Sequence, residues 1–143
     1  RSDARFKLVC AATPFLNTAE APENFEGAPA ERDYLLEEIE ALKVEGLFFI
    51  SGGKPYGELT RLVRANAPDL NDLTVGPVTA RPAEDTRELN YFRQPGTSTF
   101  ARHYAILKFQ GEEKARELVV EVHTESKRAW TQTFPASALS YDR

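Results

Sequence analysis

The strongest constraint on the fold is a short apolar run that ends in small residues. Residues 47–50 are Leu-Phe-Phe-Ile, and Ser51, Gly52 and Gly53 follow directly. A strand that is apolar on both faces is typical of a sheet whose two faces are both covered. The run therefore predicts a buried strand whose carboxyl end opens into a loop.

Two upstream elements complete a βαβ unit with this strand. Residues 5–12 alternate weakly and then become small and apolar, which predicts a strand. Proline, asparagine and glycine mark residues 13–28 as a long surface loop. Residues 30–43 predict an amphipathic helix, because apolar residues recur at three- and four-residue spacing. Those apolar positions are Tyr34, Leu35, Ile39 and Leu42.

The remaining chain predicts mainly strands. Residues 57–64 favour a strand or a short helix, between which the periodicity does not decide, and residues 72–75 favour a short strand. Residues 80–99 are polar and form a second long loop. Three antiparallel strands then follow, at residues 103–109, 118–123 and 128–134.

The expected fold class is mixed, α/β or α+β, with a βαβ unit followed by antiparallel strands. The 143 residues are the length of one ordinary domain, and we expect residues 1–143 to form a single one. Hydrophobic residues make up 41% of the chain, which is enough for a packed core.

Charge and composition exclude several classes of protein. The net charge is −4 and no basic block is present, so nucleic acid is a poor partner. No apolar run approaches the ~18 residues of a membrane-spanning helix. The sequence contains no methionine, so we expect that upstream residues were removed or not included. Periplasmic, secreted and cytoplasmic bacterial locations all stay open.

Single side chains give weak chemical signals. His103 and His123 lie on separate predicted strands, so a structural or solvent-facing role is favoured over metal binding. Cys10 cannot form an internal disulfide and is expected to be a small buried hydrophobe rather than a nucleophile. Ser51 has no nearby base, which leaves a hydrolase triad without support.

Charged and aromatic side chains also have simple interpretations. Glu58 and Asp72 could supply carboxylates to a site, although capping or solvation at strand edges is preferred. Lys54 and Arg61 could attract an anion, although ordinary surface charge is favoured. Six aromatic residues are expected in the core: Phe92, Phe100, Tyr104, Phe109, Trp130 and Phe134.

The carboxyl end of the apolar strand is the best candidate for a ligand site. Open α/β sheets bind ligands at such strand ends, and small residues there let a ligand approach the backbone. A plain turn is the alternative that the spacing alone favours. The segment from Ser51 to Lys54 lacks the spacing of a phosphate-binding P-loop.

The same segment carries a resemblance to a known family. Its hydrophobic strand runs into Ser51, Gly52, Tyr56, Glu58 and Leu59. This pattern resembles the alkaline phosphatase D (PhoD-like) branch of the calcineurin-like metallophosphoesterases, in which a strand runs into Ser/Thr-Gly-Asp-Arg-His-aromatic-x-Glu-Leu.

The resemblance continues in order along almost the whole chain. Residues 6–17 and 31–43 resemble the family's strand, loop and helix, and residues 72–79 resemble its Asp-Leu/Ile-Thr segment. Further landmarks of the family match residues 90–97, 102–105 and 116–121, with Trp130 beyond them.

The resemblance implies the carboxyl-terminal half of the metallophosphoesterase β-sandwich fold, and hydrolysis of phosphate mono- or diesters with divalent or ferric metal ions. In the family, the motif Asp and His build the metal-bound site. Gly53 and Pro55 stand at those positions and offer no ligand atom. The other family ligands lie in an amino-terminal half, which we expect this chain to lack.

We therefore expect a hydrolase-like segment that is inactive as it stands, with no catalytic residue and no bound metal or other cofactor. Restoring hydrolysis would need the other half together with Gly53→Asp and Pro55→His. Two alternatives stay open: a pseudo-enzyme that binds a phosphate ester or a partner, and an assembly component that pairs an exposed sheet edge with the missing half or a second copy. The candidate ligand-binding loop consists of Ser51, Gly52, Gly53, Lys54, Pro55, Tyr56 and Glu58.

Overall fold

The computed structural model of the protein describes residues 2–21 and 24–141, and these contain one α-helix and seven strands. The helix is α1 (Pro29–Ala41), and short 3₁₀ turns lie at Phe25–Gly27, Glu113–Ala115 and Ala136–Leu139. The strands are β1 (Lys7–Cys10), β2 (Leu47–Ser51), β3 (Glu58–Leu62), β4 (Leu70–Thr74), β5 (His103–Gln110), β6 (Glu117–Thr124) and β7 (Arg128–Pro135).

The strands form two sheets. The first has the order β1-β2-β4-β3, in which β1, β2 and β4 are parallel and β3 is antiparallel to β4. The second is an antiparallel meander of β5, β6 and β7. The mixed fold class, the βαβ unit and the three terminal strands predicted from the sequence are confirmed.

The two sheets pack face to face around the main core. Phe48, Leu59 and Leu73 project from the first sheet, and Leu118, Val120 and Val122 project from β6 in the second. The alternation of β6 places its even-numbered residues on this inner face, as the period of a strand requires. Phe134 from β7 closes the core with an edge-on contact to Phe48, at a ring separation of 5.1 Å.

The opposite face of the first sheet is covered by α1 and the loop before it. Phe15 stacks on Phe49 with the ring centroids 4.7 Å apart, and Ile39 of the helix packs on the same cluster. Because β2 faces a core on both sides, Phe48 and Phe49 are both almost completely buried. The double-sided apolar run of the sequence is therefore explained.

The prediction of which helix residues face the core was partly wrong. Ile39 is buried and Leu36 packs beside it, whereas Tyr34, Leu35 and Leu42 are exposed. The helix contacts the sheet through a narrow strip, so the other apolar positions face away from the sheet.

Two further burial expectations were wrong. Cys10 is exposed because β1 is the outer strand of its sheet. Tyr104 is also exposed, because it lies opposite His123 on the outer face of the second sheet, and Phe109 is exposed near the end of the outer strand β5. Phe92, Phe100 and Trp130 are partly buried, and Trp130 packs against the main core.

The ambiguous segment at residues 57–64 is a strand. β3 pairs along its whole length with β4, from Glu58 opposite Thr74 to Leu62 opposite Leu70. This pairing between distant segments decides that the segment is a strand. The periodicity of a single segment does not reveal such a pairing. Among the described residues, no helix combines the length and the apolar composition that crossing a membrane requires.

Candidate functional site

Three loops meet at one end of the first sheet. Because β1, β2 and β4 are parallel, the loops that follow them leave from the same edge of the sheet. Their described residues are 11–21 with 24–28, 52–57 and 75–102. The predicted site loop is the middle one, and the carboxyl end of parallel strands is where such sheets bind ligands.

Asp72 joins the first of these loops to the sheet. Its side chain is completely buried, and its Oδ2 accepts hydrogen bonds from the backbone N–H groups of Phe15 at 2.6 Å and Leu16 at 3.0 Å. Its Oδ1 accepts a bond from Ser51 Oγ at 2.7 Å. Burial raises the pKa of the Asp72 carboxyl above its usual range, although these hydrogen bonds act in the opposite direction.

Glu58 joins both long loops to β3. Its Oε1 accepts hydrogen bonds from Nδ2 of Asn17 and Nδ2 of Asn90, each at 2.8 Å. Its Oε2 accepts a bond from Nε of Arg93. Glu58 and Asp72 are both completely buried, so of the two preferred interpretations, capping or solvation at strand edges, solvation is wrong for both. A buried charge needs such partners to be tolerated.

Lys54 and Tyr56 share a third carboxylate. Lys54 Nζ donates to both carboxylate oxygens of Glu88 at 2.9 Å, and the Tyr56 hydroxyl donates to Oε2 at 2.9 Å. Lys54 is only 5% exposed, so the surface-charge interpretation was wrong for it. Arg61, which lies on β3, instead forms an ion pair with Asp69, with the nitrogen and oxygen 2.5 Å apart. Burial, followed by the charge of Glu58, raises the pKa of Tyr56 above its usual range.

The two positions at which the sequence departs from the family motif lie at the tip of the site loop. Gly53 and Pro55 are both exposed, while Gly52 is partly buried and Ser51 is buried. Gly53 has φ of +76°, and a Cβ there would lie 3.0 Å from the carbonyl oxygen of Ala12. A side chain at position 53 therefore meets both backbone strain and a close contact.

The two histidines have separate structural roles. His103 is buried, and its Nε2 accepts a bond from the Gly76 N–H at 3.1 Å. Its Nδ1 consequently carries the proton and donates to the carbonyl of Ala101 at 2.8 Å. His123 lies on β6, where its ring stacks on Tyr104 at 5.4 Å.

A cleft of about 690 Å³ opens beside the site loop. Residues 18–20 of the first loop, Pro55 and Tyr56 of the site loop, and several residues between 83 and 91 form its walls. The structure thus brings part of the predicted loop to a cleft, while Ser51 and Glu58 are buried and do not line it.

Sequence reasoning missed the residues that organise this end of the sheet. They are Asn17, Glu88, Asn90 and Arg93, and all four lie in the two long loops. Two signals were available. One was the unusual length of these loops, because long loops in compact domains are often functional. The other was the family resemblance, whose matching segments 6–17 and 90–97 include Asn17, Asn90 and Arg93 without giving them a role. Nothing in the local pattern indicates which loop residue reaches a distant carboxylate.

The side chains present do not fit the metal ions that the family resemblance implies. Gly53 and Pro55 carry no ligand atom, and the carboxylates of Glu58 and Asp72 are already bonded to internal donors. In residues 2–21 and 24–141, no group of three or more His, Cys, Asp or Glu side chains is arranged to hold an ion.

Comparison with known proteins gives no match to a family model, to a curated protein or to a solved structure. The PhoD-like resemblance and the phosphate-ester ligand therefore stay predictions.

Proposed function

We propose that this chain corresponds to the carboxyl-terminal part of a PhoD-like metallophosphoesterase fold, and that it does not hydrolyse phosphate esters. The family assignment is supported by the ordered series of motif matches along the chain. It is also supported by the path of the site loop, which leaves the carboxyl end of the buried strand β2 and enters β3 at Glu58.

One observation carries the non-catalytic part of the proposal. The polar side chains of the site loop and its flanking strand ends are all bonded to internal partners. Ser51 donates to Asp72, Lys54 and Tyr56 donate to Glu88, and Glu58 accepts from Asn17, Asn90 and Arg93. A general base or a nucleophile must reach the substrate, and these groups are turned inward.

A gain-of-ligand variant tests the family assignment. If Gly53 and Pro55 occupy the positions of the motif Asp and His, the double variant Gly53→Asp with Pro55→His places a carboxylate and an imidazole together. We expect it to bind Zn²⁺ at least tenfold more tightly than the wild type in a calorimetric titration. The backbone at position 53 is expected to cost about 1–2 kcal/mol of stability.

The matched control introduces the same two residue types at Pro95 and Gly96, which are exposed in another loop. Pro95→His with Gly96→Asp should leave Zn²⁺ affinity at the wild-type level. Equal affinities for the two double variants, with both folded by circular dichroism, would contradict the assignment of the site loop.

A second candidate function is assembly, and the exposure of β1 favours it. β1 lies at the edge of its sheet and pairs only with β2 among the described strands. Leu8, Val9 and Cys10 are all exposed on it. A flat apolar edge strand is a template for pairing with another chain. We propose that a second copy of this chain pairs along this edge.

Light scattering after gel filtration tests the assembly. The wild type should show a dimer mass at high micromolar concentration, and Val9→Lys should be a monomer, because a lysine at the edge opposes strand addition. Val63→Lys is the matched control, since Val63 is exposed away from β1 and should leave the mass unchanged. A wild type that stays monomeric at every concentration would exclude this function.

A further inference from the structure

Hydrogen bonds join the loops that form the walls of the cleft beside the site loop and fix their positions. The Tyr91 N–H donates to Thr18 Oγ1 at 3.0 Å, which ties the third loop to the first. Asn17 and Asn90 anchor the same two loops to Glu58 below. A ligand entering this cleft therefore orders little of the chain, and less of its binding free energy is lost to that ordering.

The charged side chains next to the site loop, Lys54 and Glu88, are paired with each other. Glu88 accepts hydrogen bonds from Lys54 and Tyr56, and Lys54 is buried against it. Glu88 lines the cleft, but its carboxylate is already paired with Lys54, so the unpaired charges that a ligand meets lie at the rim.

The rim combines negative charge with exposed apolar surface. Glu20 and Asp85 are exposed carboxylates, and Arg87 is the single basic side chain among the lining residues. None of these three has an ion-pair partner in the part of the chain that the structure describes. Leu89 is 69% exposed and Tyr91 is 79% exposed on the same wall.

We propose that this cleft binds an organic cation, in which an amine or guanidinium group is carried on an apolar or aromatic body. Glu20 and Asp85 take the positive group, and Leu89 and Tyr91 cover the body. The volume of about 690 Å³ lies within the range of small-molecule sites. Aromatic rings such as Tyr91 also attract cations through their faces. The inference does not rest on the proposed metallophosphoesterase resemblance.

A pair of probes of opposite charge tests the ligand class. Phenethylamine and 3-phenylpropionate have similar apolar bodies, and each is titrated into the ¹⁵N-labelled chain. We expect saturable shifts of the amide signals of residues 18–20 and 83–91 with phenethylamine, and at least fivefold weaker binding of 3-phenylpropionate. Equal or tighter binding of the anion, or no saturation with either probe, would overturn the proposal.

Variants then locate the charge that is responsible. The double variant Glu20→Gln with Asp85→Asn should weaken phenethylamine binding at least fivefold. Glu84→Gln is the matched control, because Glu84 is an exposed carboxylate in the same loop that does not line the cleft. Unchanged affinity in the double variant, or an equal loss in the control, would place the cation elsewhere.

Discussion

At the scale of single residues, the buried carboxylates act as internal acceptors. Asp72 and Glu58 together accept bonds from two backbone N–H groups, a serine hydroxyl, two asparagine amides and an arginine. Their residue types alone suggested either exposure to solvent or a role in a functional site. What decides their role is the set of donors that the fold brings to them from distant parts of the chain.

Two substitutions of Asp72 separate charge from hydrogen bonding. Asp72→Ala leaves the N–H groups of Phe15 and Leu16 without their acceptor, so we expect a loss of about 2–4 kcal/mol in the free energy of unfolding. Asp72→Asn keeps an acceptor for both N–H groups and can donate to Ser51 Oγ, so its loss should be much smaller. Urea unfolding of both variants measures these losses.

The stability difference between the wild type and Asp72→Asn should change with pH in one direction. Because burial raises the pKa of folded Asp72, the native state holds this proton more tightly than the unfolded chain, where a carboxyl titrates near about 4. The wild type should therefore lose stability relative to Asp72→Asn as the pH rises from about 4 through the raised folded pKa. A difference that stays constant or changes in the opposite direction would contradict the burial argument.

Gly57 gives a prediction that depends on one close approach. A Cβ at this position would lie 2.2 Å from Nε2 of His103, and that ring is held in place by Gly76 and Ala101. Gly57→Ala should therefore lower the free energy of unfolding by about 1–3 kcal/mol. Gly27→Ala is the control, because nothing lies within 4 Å of its Cβ position. Thermal melts that rank the two variants equally would exclude the clash.

At the scale of elements, the sequence pattern predicted those strands whose burial follows a local periodicity. The doubly apolar run of β2 and the alternation of β6 each report their own burial, and both strands were found as expected. β3 was ambiguous because its conformation is decided by pairing with β4. The burial of Cys10 on β1 was predicted wrongly, because the local sequence does not show whether an apolar strand lies at the edge of a sheet or inside it.

The long loop before β5 depends on its ion pair with β3. Glu58 is completely buried, so removing Arg93 leaves an uncompensated charge, and we expect Arg93→Ala to cost about 3–5 kcal/mol. Amide hydrogen exchange across residues 80–99 should quicken at the same time, because this loop loses one of its anchors to Glu58 and keeps only the bond from Asn90.

Arg102→Ala is the matched control for that experiment. Arg102 and Glu125 form an exposed pair at 3.9 Å, and such pairs contribute about 0–1 kcal/mol. Equal losses of stability in the two arginine variants would show that burial of the Glu58 pair has no special role.

At the scale of the whole molecule, two sheets share one core, and the loops at one end of the first sheet enclose a cleft. The fold class was predictable because strand and helix periods are local. The cleft was not, because its walls come from three loops that lie far apart in the sequence. Of the seven residues predicted for the site, Pro55 and Tyr56 line the cleft, and Ser51, Lys54 and Glu58 lie buried with internal partners.

The most direct test of the account is to assay the purified wild-type chain for metal content and hydrolysis together. The chain is incubated with Fe³⁺, Ca²⁺, Mn²⁺ or Zn²⁺ and desalted, and then bis(p-nitrophenyl) phosphate is added. We expect less than a tenth of an equivalent of any ion, and no release of nitrophenol above the metal-only blank. One or more equivalents of retained ion, with turnover proportional to protein concentration, would contradict the proposal that this chain does not hydrolyse phosphate esters.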